Sequence, residues 1–402
     1  MKNRDLYLKD PIDNQLANNG VAEVKDDLSD QALKTLRYEL DTFVCDGEYE
    51  KGLDKILGTF LKKLDTGNEQ PGVWISGFYG SGKSHLAKML RALWIDYTFT
   101  DGASARTLAK IPTEISDHLK ELSHQSRRYG GLHAASGTIG SGAENVYLAL
   151  LGIVFKSAGL PEQYHLARFV IWLKAEGHYD QVKAAVEGSG KELHKELSHL
   201  YMSPIIADTL LALIPGLATN AQEVRQLLKS EYPKVSHITN DELIAAITDA
   251  LSVQGKFPLT LIVLDEVQQY IDKDATKAYQ VQEVTETCSK HFGGQLLFVA
   301  TGQNALSGTA SLSKLMGRFQ IPVQLSDVDV ESVIRKIILQ KKETARPDIE
   351  AVISKNLGEI SRHLGGTKIE HRKEDEAVMI ADYPILPVRR RFWEKVLGTC
   401  IK

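Results

Sequence analysis

ISGFYGSGKSHLAKML, residues 75–90, decides how the rest of the chain is read. Gly77 through Ser84 place glycine, lysine and serine at the spacing G-x-x-x-x-G-K-S. Glycines let the backbone curl until successive N–H groups converge on phosphate oxygens, and the helix beginning near Lys83 adds the positive end of its dipole. Lys83 then reaches the outer phosphates as a point charge, while the Ser84 hydroxyl completes the coordination of Mg2+. VWISG, just before, is short and β-rich, and SHLAKMLRALW, just after, has the apolar spacing of an amphipathic helix. Strand, glycine loop and helix in that order predict an α/β fold that holds ATP and Mg2+. The expected nucleotide-binding set is Gly77, Phe78, Tyr79, Gly80, Ser81, Gly82, Lys83, Ser84 and His85.

Working outward, the near-continuous apolar runs in residues 129–138, 259–266, 295–302 and 319–325 read as further strands of a parallel sheet covered on both faces. Residues 1–66 are polar and then helical, and their helices are expected beside the core. The ATPase core spans 67–325, and the almost wholly helical text of about 159–239 reads as an insertion within it. Residues 326–402 return to helix as a C-terminal lid.

The second chemical signal is LIVLDE, residues 261–266, an apolar strand that ends in two carboxylates. Asp265, at the strand tip, is expected to hold Mg2+ through water, leaving Glu266 free to polarise the attacking water. No Asn-Lys-x-Asp guanine reader occurs, which argues against a GTPase, and a small kinase needs no acid pair on a separate strand. In LLFVATGQN, residues 296–304, Thr301, Gln303 or Asn304 either senses the γ-phosphate through the attacking water or simply ends the strand. Arg318, before the last strand, is either a finger on a neighbouring subunit's γ-phosphate or a surface ion-pair partner. Arg389, Arg390 and Arg391, beside Phe392 and Trp393, form the densest basic cluster; Arg389 is the candidate lid sensor. The cluster otherwise reads as a cap with packed aromatics and solvated arginines, or as a weak nucleic-acid contact.

Bulk properties bound the alternatives. A chain of 402 residues is long enough for two or three packed units, and a formal net charge of -4 supplies no global basic field to gather nucleic acid. Three scattered cysteines suit a reducing compartment better than a disulfide framework. The beginning of the sequence lacks the apolar core of a signal peptide, and no apolar run is long enough to span a bilayer, so a cytoplasmic protein without membrane contact is expected. His194 and His199, like His118 and His124, lack zinc-ligand spacing, leaving Mg2+ as the one metal implied.

Two acids on a strand distinct from the loop strand, a polar strand end, an arginine before the last strand and a helical tail together resemble an AAA+ ATPase from about Pro71 onward. That resemblance implies a P-loop NTPase with a five-stranded parallel sheet flanked by helices, the loop strand beside the sensor strand, and a helical lid. About 180 residues separate Lys83 from Asp265, more than a compact core needs, and the helical insertion accounts for the surplus. The phrases GEYEKGLDKILGTFLKKL, PGVWISGFYGSGKSHLAKMLRALW, LIVLDEVQQYI and YPILPVRRRFWEKVL resemble the BrxC/PglY family of the BREX bacteriophage-defence systems, GFYGSGKSH above all. The resemblance implies an ATPase, the N-terminal region of a longer protein, that works beside a DNA methyltransferase and other BREX components. Assembly or remodelling of a DNA-associated complex, by a nucleotide-dependent homo-oligomer, is then the expected work. An ATP-gated scaffold with little turnover is the alternative, and a direct DNA motor a third.

Overall fold

The structure is a computed structural model, and it describes residues 3–10, 29–140, 145–272, 274–308, 310–326, 331–362 and 365–400. Five strands, β1 (Val73–Ser76), β2 (Leu132–Thr138), β3 (Leu259–Asp265), β4 (Leu296–Gly302) and β5 (Ile321–Gln324), form one all-parallel sheet in the order β2-β3-β4-β1-β5. Strand side chains alternate in direction, so a sheet buried on both faces needs apolar residues at every position. Val73, Ile75, Leu261, Val263, Leu297 and Val299 enter one core. Trp74, Ile262, Leu264, Phe298 and Ala300 enter the other. β5 lies at an edge, where Pro322 stands exposed without disrupting a ladder on its open side.

The first face is covered by α1 (Asp30–Asp41), α2 (Gly47–Thr66), α3 (Lys83–Trp94) and, beyond the short α4 (Ala105–Leu108), α5 (Thr113–Ser126). The second face carries α6 (Val146–Ser157), α7 (Tyr164–Ala175), α8 (Tyr179–Gly188), α9 (Leu193–Ser198), α10 (Pro204–Leu213), α11 (Ala221–Glu231) and α12 (Asn240–Leu251). Helices α7 to α11 cover the stretch expected as an insertion. Their Phe169, Val182, Leu210 and Val224 share one continuous core with the sheet residues Ile262 and Phe298. Short α13 (Val267–Ile271) follows β3, and α14 (Ala275–Phe292) leads to β4.

Contacts divide the chain into two units, residues 20–326 and residues 1–19 with 327–402. The stretch 1–66 is therefore split: α1 and α2 belong with the sheet, whereas residues 3–10 join the C-terminal residues. In that second unit Leu6, Ala345, Ile349, Ile353 and Met379 form a small core. The three-arginine run has a different character from the one expected. Arg390 binds Asp382 and Glu331 at 3.0 Å each, and Arg391 binds Asp375 at 2.7 Å, because those two buried aspartates require counter-charges. Phe392 and Trp393, expected to pack, are instead about half exposed, at 49% and 54%. Arg389 is exposed. Among the described residues no helix is long and apolar enough to cross a membrane.

Candidate phosphate and metal site

Chain direction creates the site. After β1 the chain leaves for the far side of the sheet, and β5 returns on the other side of β1, so the C-terminal strand ends flank the point where strand order reverses. Open α/β sheets bind ligands at such a point. β4 lies between β1 and β3, which brings the tip of β4 between the glycine loop and the two acids.

The loop is built from backbone constraints. Gly80 and Gly82 have φ of 86° and 88°, in the left-handed region that disfavours side chains. A Cβ on Gly82 would also meet the Tyr49 hydroxyl at 1.8 Å, and one on Gly77 would meet Ser81 Oγ at 2.5 Å. Lys83 extends its ammonium across the loop and donates to the carbonyls of Gly77 and Phe78, both at 2.9 Å. Burial pulls the Lys83 ammonium below the ordinary lysine value, opposed by the carboxylates of Asp265 and Glu266. Ser81 Oγ is buried without a hydrogen-bond partner among the described residues.

Ser84 and Asp265, 181 residues apart in sequence, meet here: the serine hydroxyl donates to Asp265 Oδ1 at 3.1 Å. Asp265 is buried, and its same oxygen accepts from Thr301 Oγ1 at 2.5 Å. Thr301 Oγ1 in turn accepts from the backbone N–H of Glu266 at 2.9 Å. Glu266 takes a left-handed conformation, φ 57°, a strained backbone that this bond pins in place. Its side chain is exposed and accepts from Gln269 at 3.2 Å.

The two hard-oxygen groups Ser84 and Asp265, the adjoining ammonium and the loop that side chains would fill suit Mg2+ with a polyphosphate: Mg2+ takes few protein oxygens and completes its shell with phosphate and water. One exposed acid, one ammonium and a fixed hydroxyl bridge at the strand tips can polarise water beside an anion.

The structure thus brings together the loop, Lys83, Ser84, Asp265, Glu266 and Thr301, and assigns other places to the rest. Thr301 commits its proton to Asp265 and lies between that carboxylate and the Glu266 backbone. Gln303 is exposed just past β4. Asn304 is held by its backbone, accepting from the Trp74 indole at 2.9 Å and donating to Gln268 Oε1 at 2.8 Å. Arg318 is separated from the loop of its own chain. Its carbonyl accepts from Gly72 N at 2.7 Å, at the starting end of β1, a strand's length of about 13 Å from the loop. Its guanidinium binds Glu69 at 2.9 Å and Glu286 at 2.7 Å. Phe78 and Tyr79 are exposed at the loop tip, 43% and 77%. His85 turns away, half-buried edge-on to Phe43 at 5.7 Å; burial lowers its pKa, against the pull of Glu39. Arg389 belongs to the second unit.

Sequence reasoning missed Tyr49, whose hydroxyl donates to the carbonyls of Ser81 at 3.3 Å and Gly82 at 3.2 Å. Nothing local to GEYEKGLDKIL signals a contact more than thirty residues downstream. No family model matches the chain, and no solved structure matches it.

Proposed function

We propose that this chain is an ATP-binding and ATP-hydrolysing P-loop module of the AAA+ type. The carrying observation is the convergence of Lys83, Ser84, Asp265 and Glu266 at the C-terminal strand tips, joined by the 3.1 Å contact of Ser84 with Asp265. The placement of β4 between the loop strand and the acid strand supports the AAA+ type. The loop amides and Lys83 bind the phosphates. Ser84 and Asp265 would hold Mg2+, which when bound neutralises phosphate charge. Glu266, the one acid left exposed, orients and polarises the attacking water, and Thr301 keeps both acids in register. Catalysis is then positioning and charge stabilisation without a covalent intermediate.

From the resemblance of its phrases to the BrxC/PglY family, the module serves a BREX bacteriophage-defence complex. Its nucleotide state drives assembly or remodelling of a DNA-associated complex together with the other components. The ATP-gated scaffold draws on one observation: Arg318 is engaged by Glu69 and Glu286 of its own chain and so is not supplied to the phosphates at that chain's strand tips. Glu266→Gln separates the two readings. ATP binding should persist, while phosphate release falls about 10²- to 10⁴-fold. Phage restriction by the intact system should fall with it if turnover does the work, and survive if the bound state suffices. Wild type that binds no ATP with Mg2+, or Lys83→Ala that binds as tightly as wild type, overturns the nucleotide reading.

A further inference from the structure

Three contacts join the segment before the sheet to the loop and to the first turns of α3. Tyr49, at the start of α2, reaches the carbonyls of Ser81 and Gly82. Phe43 packs its ring against His85. Buried Glu39 pairs with Lys88 at 2.6 Å. We propose that Tyr49 is a positioning residue of the phosphate loop, orienting the peptide units whose N–H groups face the phosphate. The proposal rests on the reading of this loop as the phosphate site.

The argument is one of peptide geometry. A trans peptide unit is planar, with C=O and N–H pointing in opposite directions. The carbonyl of Ser81 belongs to the unit that carries Gly82 N–H, and the carbonyl of Gly82 to the unit that carries Lys83 N–H. Drawing both carbonyls toward one hydroxyl therefore turns both N–H groups away from Tyr49. Those amides open α3, where the first N–H groups of a helix have no intrahelical partner and serve as anion donors.

The orientation is soft without such a tie. Gly82, at φ 88°, has no Cβ to restrict it, and a glycine backbone wanders freely between its allowed regions. Gly82 O has a second partner in Leu86 N–H at 2.8 Å, whereas Tyr49 is the partner shown for Ser81 O. Tyr49 is itself fixed: 4% exposed, with its ring 6.0 Å from that of Phe43. The hydroxyl also occupies the space a Gly82 side chain would need, so residue 49 and residue 82 constrain each other.

The test is Tyr49→Phe, which keeps the ring and its packing and removes the hydroxyl. Because the same amides hold ground-state and transition-state phosphates, the loss should appear in binding. Kd and KM for MgATP should rise about 3- to 10-fold, with kcat changed less than about 3-fold. Affinity equal to wild type in a folded variant overturns the proposal. Hydrogen exchange of the ligand-free protein gives a readout that needs no nucleotide: amides of residues 77–84 should exchange several-fold faster in Tyr49→Phe while the strands exchange as before. If wild type binds no ATP, the nucleotide reading fails, and this exchange difference alone decides whether Tyr49 holds the loop. Unchanged exchange in that case also overturns it.

Discussion

Thr301 is the residue whose reading changed most. A polar residue at a strand end signals either chemistry or termination, and local sequence does not choose between them. The hydroxyl sits between Asp265 Oδ1 and Glu266 N, so it ties the Asp265 carboxylate to the backbone of Glu266. Thr301→Val keeps the shape, orphans the Glu266 N–H and leaves Asp265 Oδ1 with Ser84 alone, at about 1–3 kcal/mol of stability. Hydrolysis should fall on the order of 10²-fold with a raised Mg2+ requirement, measured as phosphate release against Mg2+ concentration. His133 makes a separate prediction. Ser157 donates its proton to Val154 O at 2.7 Å and so accepts from His133 Nε2 at 2.9 Å, fixing the neutral tautomer. Burial, helped by Arg91, lowers the His133 pKa to about 4 from 6.5. As pH falls through that window the unfolded chain takes up the proton first, so stability is lost, by at most about 3 kcal/mol. Urea midpoints at pH 7 and pH 5 should therefore separate more for wild type than for His133→Gln.

At the scale of elements, all five strands were legible, because a sheet buried on both faces writes itself as unbroken apolar runs. Their neighbours were less so: the place of β4 between β3 and β1 depends on pairing across 226 residues for β1, beyond any local pattern. Arg318 shows the consequence. Its position before β5 was plain, but only parallel pairing with β1 puts it at the edge away from the loop. The end of α3 is held by contacts of much shorter range. The Arg106 guanidinium donates to the carbonyls of Leu93 at 2.7 Å and Trp94 at 2.9 Å, at the end of α3, and to Leu119 O at 2.9 Å and Ser123 Oγ at 2.7 Å on α5. Lys83 and Ser84 stand at the other end of the same helix. Arg106→Ala should cost about 2–4 kcal/mol in a denaturant titration, since it removes four hydrogen bonds and leaves the Trp94 carbonyl unpaired. Arg106→Lys should recover less than half of that, because a compact ammonium cannot span a fork-shaped set of acceptors.

For the whole molecule, two units with separate cores predict unfolding in more than one step. Calorimetry with MgATP should raise the transition of the sheet-bearing unit. Ile349→Ala, which opens a cavity in the small core, should lower the other transition by about 2–4 kcal/mol. A single transition moved by both changes would show that the units unfold together. Mass in solution tests the assembly expected of an AAA+ module: wild type should grow with ATP and Mg2+, and Lys83→Ala should not.

By itself the sequence determined the chemistry available to this protein: a glycine loop with its lysine and serine, and two carboxylates at the end of an apolar strand. These are local patterns, set by which side chains a tight turn admits and which a two-sided sheet buries. Tertiary structure decided which of those groups meet. It placed Ser84 on Asp265, set the Thr301 hydroxyl between Asp265 and the Glu266 backbone, bound Arg390 and Arg391 into internal ion pairs, and set Tyr49 beneath Ser81 and Gly82. Contacts between distant residues follow from strand order and helix docking, and ISGFYGSGKSHLAKML contains neither.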